Sequence, residues 1–191
     1  RLPAVAPTLA IDWNPWRSAL ANVRAAREGR AVFLSILGIS WFWAYGALVL
    51  AQLPLYARAV LHGDERVLTL LLVTFSIGVA AGSLLCERLS GRKVEIGLVP
   101  FGSIGLTLFA LDLYFATPVL PAAASLDLAG LLRLDGGWRI VADLGLLGVF
   151  GGFFIVPLYA LVQQRTPRER ISRVQSANNV LNALFMVAAA V

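Results

Sequence analysis

The chain has 191 residues, of which 59% are apolar and only 14% charged, with a mean hydropathy of +0.78, against roughly 25% charged residues in an ordinary soluble domain. So few charges cannot coat a water-facing surface, the apolar content excludes disorder, and the single cysteine, Cys86, excludes a disulfide scaffold within the chain. A zinc site built from Cys and His is excluded as well, because Cys86 and His62 are the only residues of their kinds. An integral membrane protein remains.

The net charge of +5 at pH 7 and the pI near 10.1 come from 15 arginines and one lysine grouped in short clusters between long apolar runs. That is the pattern of membrane loops rather than of a basic stripe on a soluble face, so no nucleic-acid partner is expected. The chain opens without Met and stops inside an apolar run, and we read it as a piece of a longer polypeptide. Residues 1–30 read as a cytoplasmic linker. Within it, Trp13 and Trp16 with their spaced arginines fit either a segment lying on the lipid interface or a plain loop.

Crossing about 30 Å of hydrocarbon takes roughly 20 apolar residues as a helix. Runs over residues 31–55, 67–86, 96–116 and 138–162 meet that length, and a fifth begins near 177 and is cut at 191. The expected fold is therefore all-α, a polytopic transmembrane helix bundle occupying 31–191. Between the fourth span and its predecessor, residues 118–137 carry Pro118, Pro121 and a Gly136-Gly137 pair, which predicts an irregular connection with at most one short helix. Charge alternates between the connections. Arg17, Arg24, Arg27, Arg30, Arg88, Arg92, Lys93, Arg165, Arg168, Arg170 and Arg173 fall on one side, eleven in all. The other side has Arg58, Arg66, Arg133 and Arg139, offset by Asp64, Glu65, Asp127 and Asp135. The positive-inside rule puts the eleven-residue side, and with it the N-terminal segment, in the cytoplasm.

Inside the spans, Gly78 and Gly82 in the second and Gly148 and Gly152 in the fourth form small-xxx-small rows, the pattern that lets helix backbones approach closely in lipid. Asp112 and Asp143 are the acids within the spans, both near the outer end. Arg139 precedes Asp143 by one helical turn, so a local ion pair is one expectation for Asp143. The other is that Asp112 or Asp143 lines an outward cavity, since acids in a membrane are costly unless used. Asn178, Asn179 and Asn182 open the fifth span, either as interhelical hydrogen-bonding groups or as the lining of a polar pathway.

Enzyme chemistry finds little support. His62 and Cys86 belong to opposite sides of the membrane, which closes a Cys–His dyad. Glycerolipid acyltransferases use a His-x4-Asp pair, and the required position after His62 holds Val67. No phosphate-cradling loop occurs, and neither a cofactor nor a metal is expected.

The stretch Ser83-Leu-Leu-Cys-Glu87-Arg88-Leu-Ser-Gly91-Arg92-Lys93 places an acid–base pair at the end of one helix, then a glycine and two bases before the next. Glu87 paired with Arg88, with Arg92 or with a neighbouring helix terminus would make a breakable latch; a plain basic loop is the alternative. The stretch resembles the signature loop of the major facilitator superfamily, Gly-x3-Asp-Arg-x-Gly-Arg-Arg/Lys. Ser83 stands for the first glycine, Glu87 for the aspartate and Arg88 for the arginine, with one extra residue before Gly91. Further wording is similar to the lysophospholipid transporter branch of that superfamily: Ile39-Ser-Trp-Phe-Trp43-Ala-Tyr-Gly46, Pro100-Phe-Gly-Ser-Ile-Gly105, Gly151-Gly-Phe-Phe-Ile-Val-Pro157 through Gln164, and Asn178-Asn-Val-Leu-Asn182-Ala-Leu-Phe.

The resemblance covers roughly residues 32–191 and matches helices seven to eleven of twelve, in the C-terminal half of the fold. It implies a bacterial inner-membrane protein that moves lysophosphatidylethanolamine or lysophosphatidylglycerol from the outer to the inner leaflet for reacylation. Its partners would be the membrane lipid, the N-terminal half of the same transporter, and an acyltransferase and acyl-carrier-protein synthetase, fused or separate. On that reading Arg58 and Arg66 form a rim attracting the substrate phosphate, Asp112 or Asp143 meets an ammonium, and Glu87, Arg88, Gly91, Arg92 and Lys93 form the cytoplasmic latch. A small-molecule exporter and a non-transporting membrane module that docks an acyltransferase are the rival readings.

Overall fold

The computed structural model describes residues 14–91, 95–121 and 125–190. Its elements are all helical: α1 (Pro15–Arg27), α2 (Arg30–Leu55) running on into a π turn (Tyr56–Val60), α3 (Glu65–Leu89), α4 (Leu98–Ala116), α5 (Leu128–Arg133), α6 (Gly137–Arg165), a 3-10 turn (Arg168–Arg170) and α7 (Ile171–Ala190). The only extended pairing among the described residues is one parallel bridge, Gly63 with Leu126. Four helices, Arg30–Val60, Glu65–Leu89, Leu98–Ala116 and Gly137–Arg165, are long and apolar enough to cross a membrane.

Most of the helices overrun the bounds expected from hydropathy, whereas α4 starts two residues later than expected, at Leu98. α3 gains a turn at its C-terminal end, where Glu87 and Arg88 continue the helix, and α7 starts at Ile171, six residues before its apolar run. Polar residues extend these helices because hydropathy marks only the lipid-facing part of a helix, whereas backbone hydrogen bonding continues until a cap or breaker intervenes. The segment 15–27, expected as part of a linker, is the helix α1: Asn14 caps it through Oδ1, which accepts from the backbone of Trp16 and Arg17 at 3.1 and 3.3 Å, and Pro15 sits at the tolerated first position.

Local chemistry sets the turns. Pro54 supplies no N–H to the helical ladder of α2, and the next turn widens to a π turn, closed by Leu61 N donating to the Tyr56 carbonyl at 3.0 Å. His62 then takes a left-handed backbone, φ 50°, which reverses the chain. Asp64 caps α3 by accepting from Arg66 and Val67 backbone N–H at 3.0 and 2.9 Å. The short helix expected within the 118–137 connection is α5, capped by Asp127. Leu126 ties that connection to the α2–α3 turn, donating to the His62 carbonyl and accepting from Asp64 N, both at 3.0 Å.

α6 is the hub, packed between α3 and α4 with α2 across it, and α7 lies against α2 and α1. Backbones meet directly at α3–α6. A methyl added to Gly78 would lie 2.1 Å from the Gly145 carbonyl oxygen, one on Gly82 2.1 Å from the Val149 oxygen, and ones on Gly148 and Gly152 2.5 Å from backbone atoms of Phe75 and Gly82. Lipid supplies no hydrophobic force between helices, so this close approach supplies the van der Waals contact that holds them. Gly102 on α4 does the same against the Phe154 backbone of α6, and Gly105 makes room for the Phe150 ring. One end of the bundle, the basic end, carries α1, the α3–α4 connection and the α6–α7 link. The opposite end carries the α2–α3 turn and the 117–136 connection.

Candidate functional site

The charged residues inside the spans gather at the end opposite the basic clusters. Asp112 lies one turn before the end of α4 and Arg139 in the first turn of α6, and packing of these helices brings the two together. Arg139 Nε donates to Asp112 Oδ2 at 2.9 Å, and its Nη2 donates to Asp112 Oδ1. This corrects the pairing of Arg139 with Asp143 expected from their spacing along one helix. The two-point geometry of guanidinium and carboxylate favours the partner on α4, whose carboxylate faces the fork squarely.

Asp143 is left differently placed. It is 3% exposed, and its Oδ2 has no hydrogen-bond partner. Asp112, Arg139 and Tyr56 all lie within electrostatic range of it. The Tyr56 hydroxyl shares a 2.8 Å hydrogen bond with Thr117 Oγ1, which joins the end of α2 to the end of α4. The cluster thus has one carboxylate held by arginine and one buried carboxylate with an unused acceptor.

Beside the cluster lies an open cleft of about 790 Å³ between the ends of α2 and α4, bordered by Tyr56, His62, Tyr114 and Thr117. Beneath Tyr56 a smaller hollow of about 200 Å³, lined by Tyr45, Leu53, Leu113, Leu144 and Leu147, continues toward the bundle interior. The two share Tyr56, Ala110 and Leu113. Apolar space next to a few convergent polar groups is the usual build of a small-molecule site. Tyr56, Thr117 and the α4–α6 pairing carried no sequence signal. Each depends on which helices meet, and only the position of Pro54, which turns Tyr56 inward through the π turn, leaves a trace in the chain.

The expected rim residues lie at this same end. Arg58 and Arg66 are both exposed, and Arg58 Nη2 stands 4.0 Å from Glu65 Oε1. The asparagines of α7 split between two faces. Asn182 is buried and accepts from Ser40 Oγ of α2 at 2.8 Å; Asn178, 1% exposed, has no partner for either atom of its amide. Asn179 points away, exposed, and accepts from Gln175 at 3.5 Å.

At the basic end, Glu87 and Arg88 border an open hollow with Leu84 and Gly91, whose φ of 55° makes the turn out of α3 one that glycine suits. Glu87 forms no ion pair among the described residues, and Arg92 and Lys93 of the expected latch lie outside them, as does Trp13.

The fold and cluster define a multi-pass α-helical membrane protein. Residues 3–190 match the family model of the Major Facilitator Superfamily, and the chain belongs to that family. It is similar to curated proteins named lysophospholipid transporter LplT. The match is 30% identical over 173 residues to the one from Serratia proteamaculans, 29% over 170 to that of an Enterobacter species and 30% over 169 to that of Klebsiella pneumoniae. Each alignment covers 86% of this chain and 37% of the relative, so the chain spans little more than a third of the length of these proteins. No solved structure matches it.

Proposed function

We propose that the full-length protein transports lysophospholipids, lysophosphatidylethanolamine or lysophosphatidylglycerol, from the outer to the inner leaflet of a bacterial inner membrane, where they are reacylated. The observation that carries this reading is the cleft of about 790 Å³ opening beside the Asp112–Arg139–Asp143 cluster. A lysolipid has one acyl chain and a zwitterionic or anionic head. The cleft, apolar apart from Tyr56, His62, Tyr114 and Thr117, would take the acyl chain, and the neighbouring charged cluster the head. Asp143, whose Oδ2 is unpartnered, is assigned to the ammonium of the ethanolamine head, and Arg58 and Arg66 to its phosphate. The names of the relatives support the substrate class.

In this reading the half-bundle rocks as a unit against the N-terminal half, with binding groups at the interface of the halves. The α3–α6 backbone contact keeps this half stiff, and Glu87, Arg88, Gly91, Arg92 and Lys93 latch the cytoplasmic side. In this reading that side, and the N-terminal segment, faces the cytoplasm, which the eleven basic residues support through the positive-inside rule. An acyltransferase and an acyl-carrier-protein synthetase are the partners that would consume the delivered lipid.

A photoreactive lysophosphatidylethanolamine tests the site on the full-length protein. It is expected to label the Tyr114–Thr117 segment and to be competed by unlabelled lysophosphatidylethanolamine. Labelling spread evenly over lipid-facing residues, without competition, would overturn the assignment.

A further inference from the structure

We propose that α1 is a docking surface for anionic lipid headgroups at the membrane interface, with Trp16 and Leu20 set into the lipid and arginines on the phosphates. At 100° per residue, the exposed residues of the helix, Trp16, Arg17, Leu20, Ala21, Arg24 and Arg27, fall on one arc. The opposite arc, with Asn22 and the buried Ala26, turns toward the bundle, and Val23, beside Trp16 at the edge of the exposed arc, packs against the core. Asn22 Nδ2 donates to Ser176 Oγ of α7 at 3.0 Å, and Glu28, just beyond α1, pairs with Arg170. The helix is thus fixed in rotation, and its outward face is a consequence of the fold.

That face has a definite chemistry. Trp16 is 79% and Leu20 57% exposed, one turn apart, which is costly for two large apolar groups in water. Arg17 and Arg24 flank them on the same arc, α1 itself carries no acid, and Glu28 at its C-cap is engaged by Arg170. Only Glu28 and Gly29 separate α1 from the first residue of the spanning helix α2, so α1 is held at headgroup level. An indole, a leucine and flanking arginines at that depth match an interface of acyl-chain ends below and phosphates above. The occupant is anionic lipid, since Arg17 and Arg24 form no ion pair among the described residues and the nearest acid, Glu28, is taken by Arg170. Neither the transported substrate nor the direction of transport enters this argument.

Depth measurement on the full-length protein, in a cysteine-free background and in nanodiscs with phosphatidylglycerol, tests it. Spin labels at Trp16→Cys and Leu20→Cys are expected to relax more with oxygen, which concentrates in lipid, than with a water-soluble nickel chelate; a label at Ala21→Cys, on the far flank of the arc, is expected to show the reverse. Arg17→Gln with Arg24→Gln is expected to lower the enrichment of phosphatidylglycerol over phosphatidylcholine retained by the purified protein on the order of tenfold, with the gel-filtration profile unchanged. Labels at 16 and 20 relaxing more with nickel would overturn the proposal. So would protection from both reagents, which would put another part of the protein over this face, and so would unchanged lipid enrichment in the double variant.

Discussion

Arg139 of α6 reaches across to α4 and holds Asp112 with two guanidinium nitrogens, leaving Asp143, four residues further along its own helix, with an unpartnered carboxylate oxygen in a buried position. The division of labour between the two acids follows. Asp112 is spoken for by an arginine, and Asp143 has the capacity left over for a ligand.

Asp143→Asn is therefore expected to lower transport of lysophosphatidylethanolamine by the full-length protein roughly tenfold or more, the scale of a hydrogen bond to a charged group. Transport of lysophosphatidylglycerol, which has no ammonium, is expected to stay near wild type. Equal loss for both lipids, read by initial rates on the two substrates, would move Asp143 from ligand contact to a structural part.

Arg139→Gln releases Asp112 into a partly apolar end of the bundle. The single substitution is expected to lower thermal stability, and Arg139→Gln combined with Asp112→Asn to recover much of it. A double-mutant cycle on unfolding midpoints in one detergent checks this. Additive losses would show that the ion pair is not what Arg139 contributes.

The α3–α6 contact makes a sharp contrast between two glycines. Gly82→Ala places a methyl 2.1 Å from the Val149 oxygen, so the helices must separate, at a cost of about 1–3 kcal/mol as in other overpacked contacts. Gly46→Ala meets nothing within 4 Å and is expected to be neutral or slightly stabilising through helix propensity. Unfolding midpoints of the two variants, measured side by side, should differ in that order.

Ser40→Ala removes the donor to Asn182 at the α2–α7 seam. Interhelical hydrogen bonds in membrane proteins average about 0.6 kcal/mol and reach roughly 1.7, so a small drop in stability is expected, read as a modest fall in the unfolding midpoint. A fall as large as that of Gly82→Ala would mean that Ser40 does more than donate to Asn182.

The helices were legible in the sequence because a span must bury about 20 apolar residues whatever it packs against. Gly78, Gly82, Gly148 and Gly152 were legible as a contact surface for a related reason, since close approach needs small residues at one-turn spacing. What was not legible depended on partners. The spacing of Arg139 and Asp143 pointed to a pair within α6, and only the packing of α4 on α6 offers Asp112 instead. Three asparagines read as one polar group, yet helical rotation sends Asn178 and Asn182 inward and Asn179 outward. The helix α1 was hidden because its apolar residues are too few to register as a span, while Asn14 and Pro15 mark its start clearly in retrospect.

The central claim, movement of a lysolipid between leaflets, is tested most directly by reconstituting the full-length protein in liposomes. Fluorescent lysophosphatidylethanolamine is added outside, and its loss of accessibility to an external quencher is followed in time. Time-dependent protection is expected that requires the protein and slows with Asp143→Asn and with Glu87→Ala. Protection no faster than in protein-free liposomes, from a preparation shown to be folded, would contradict it.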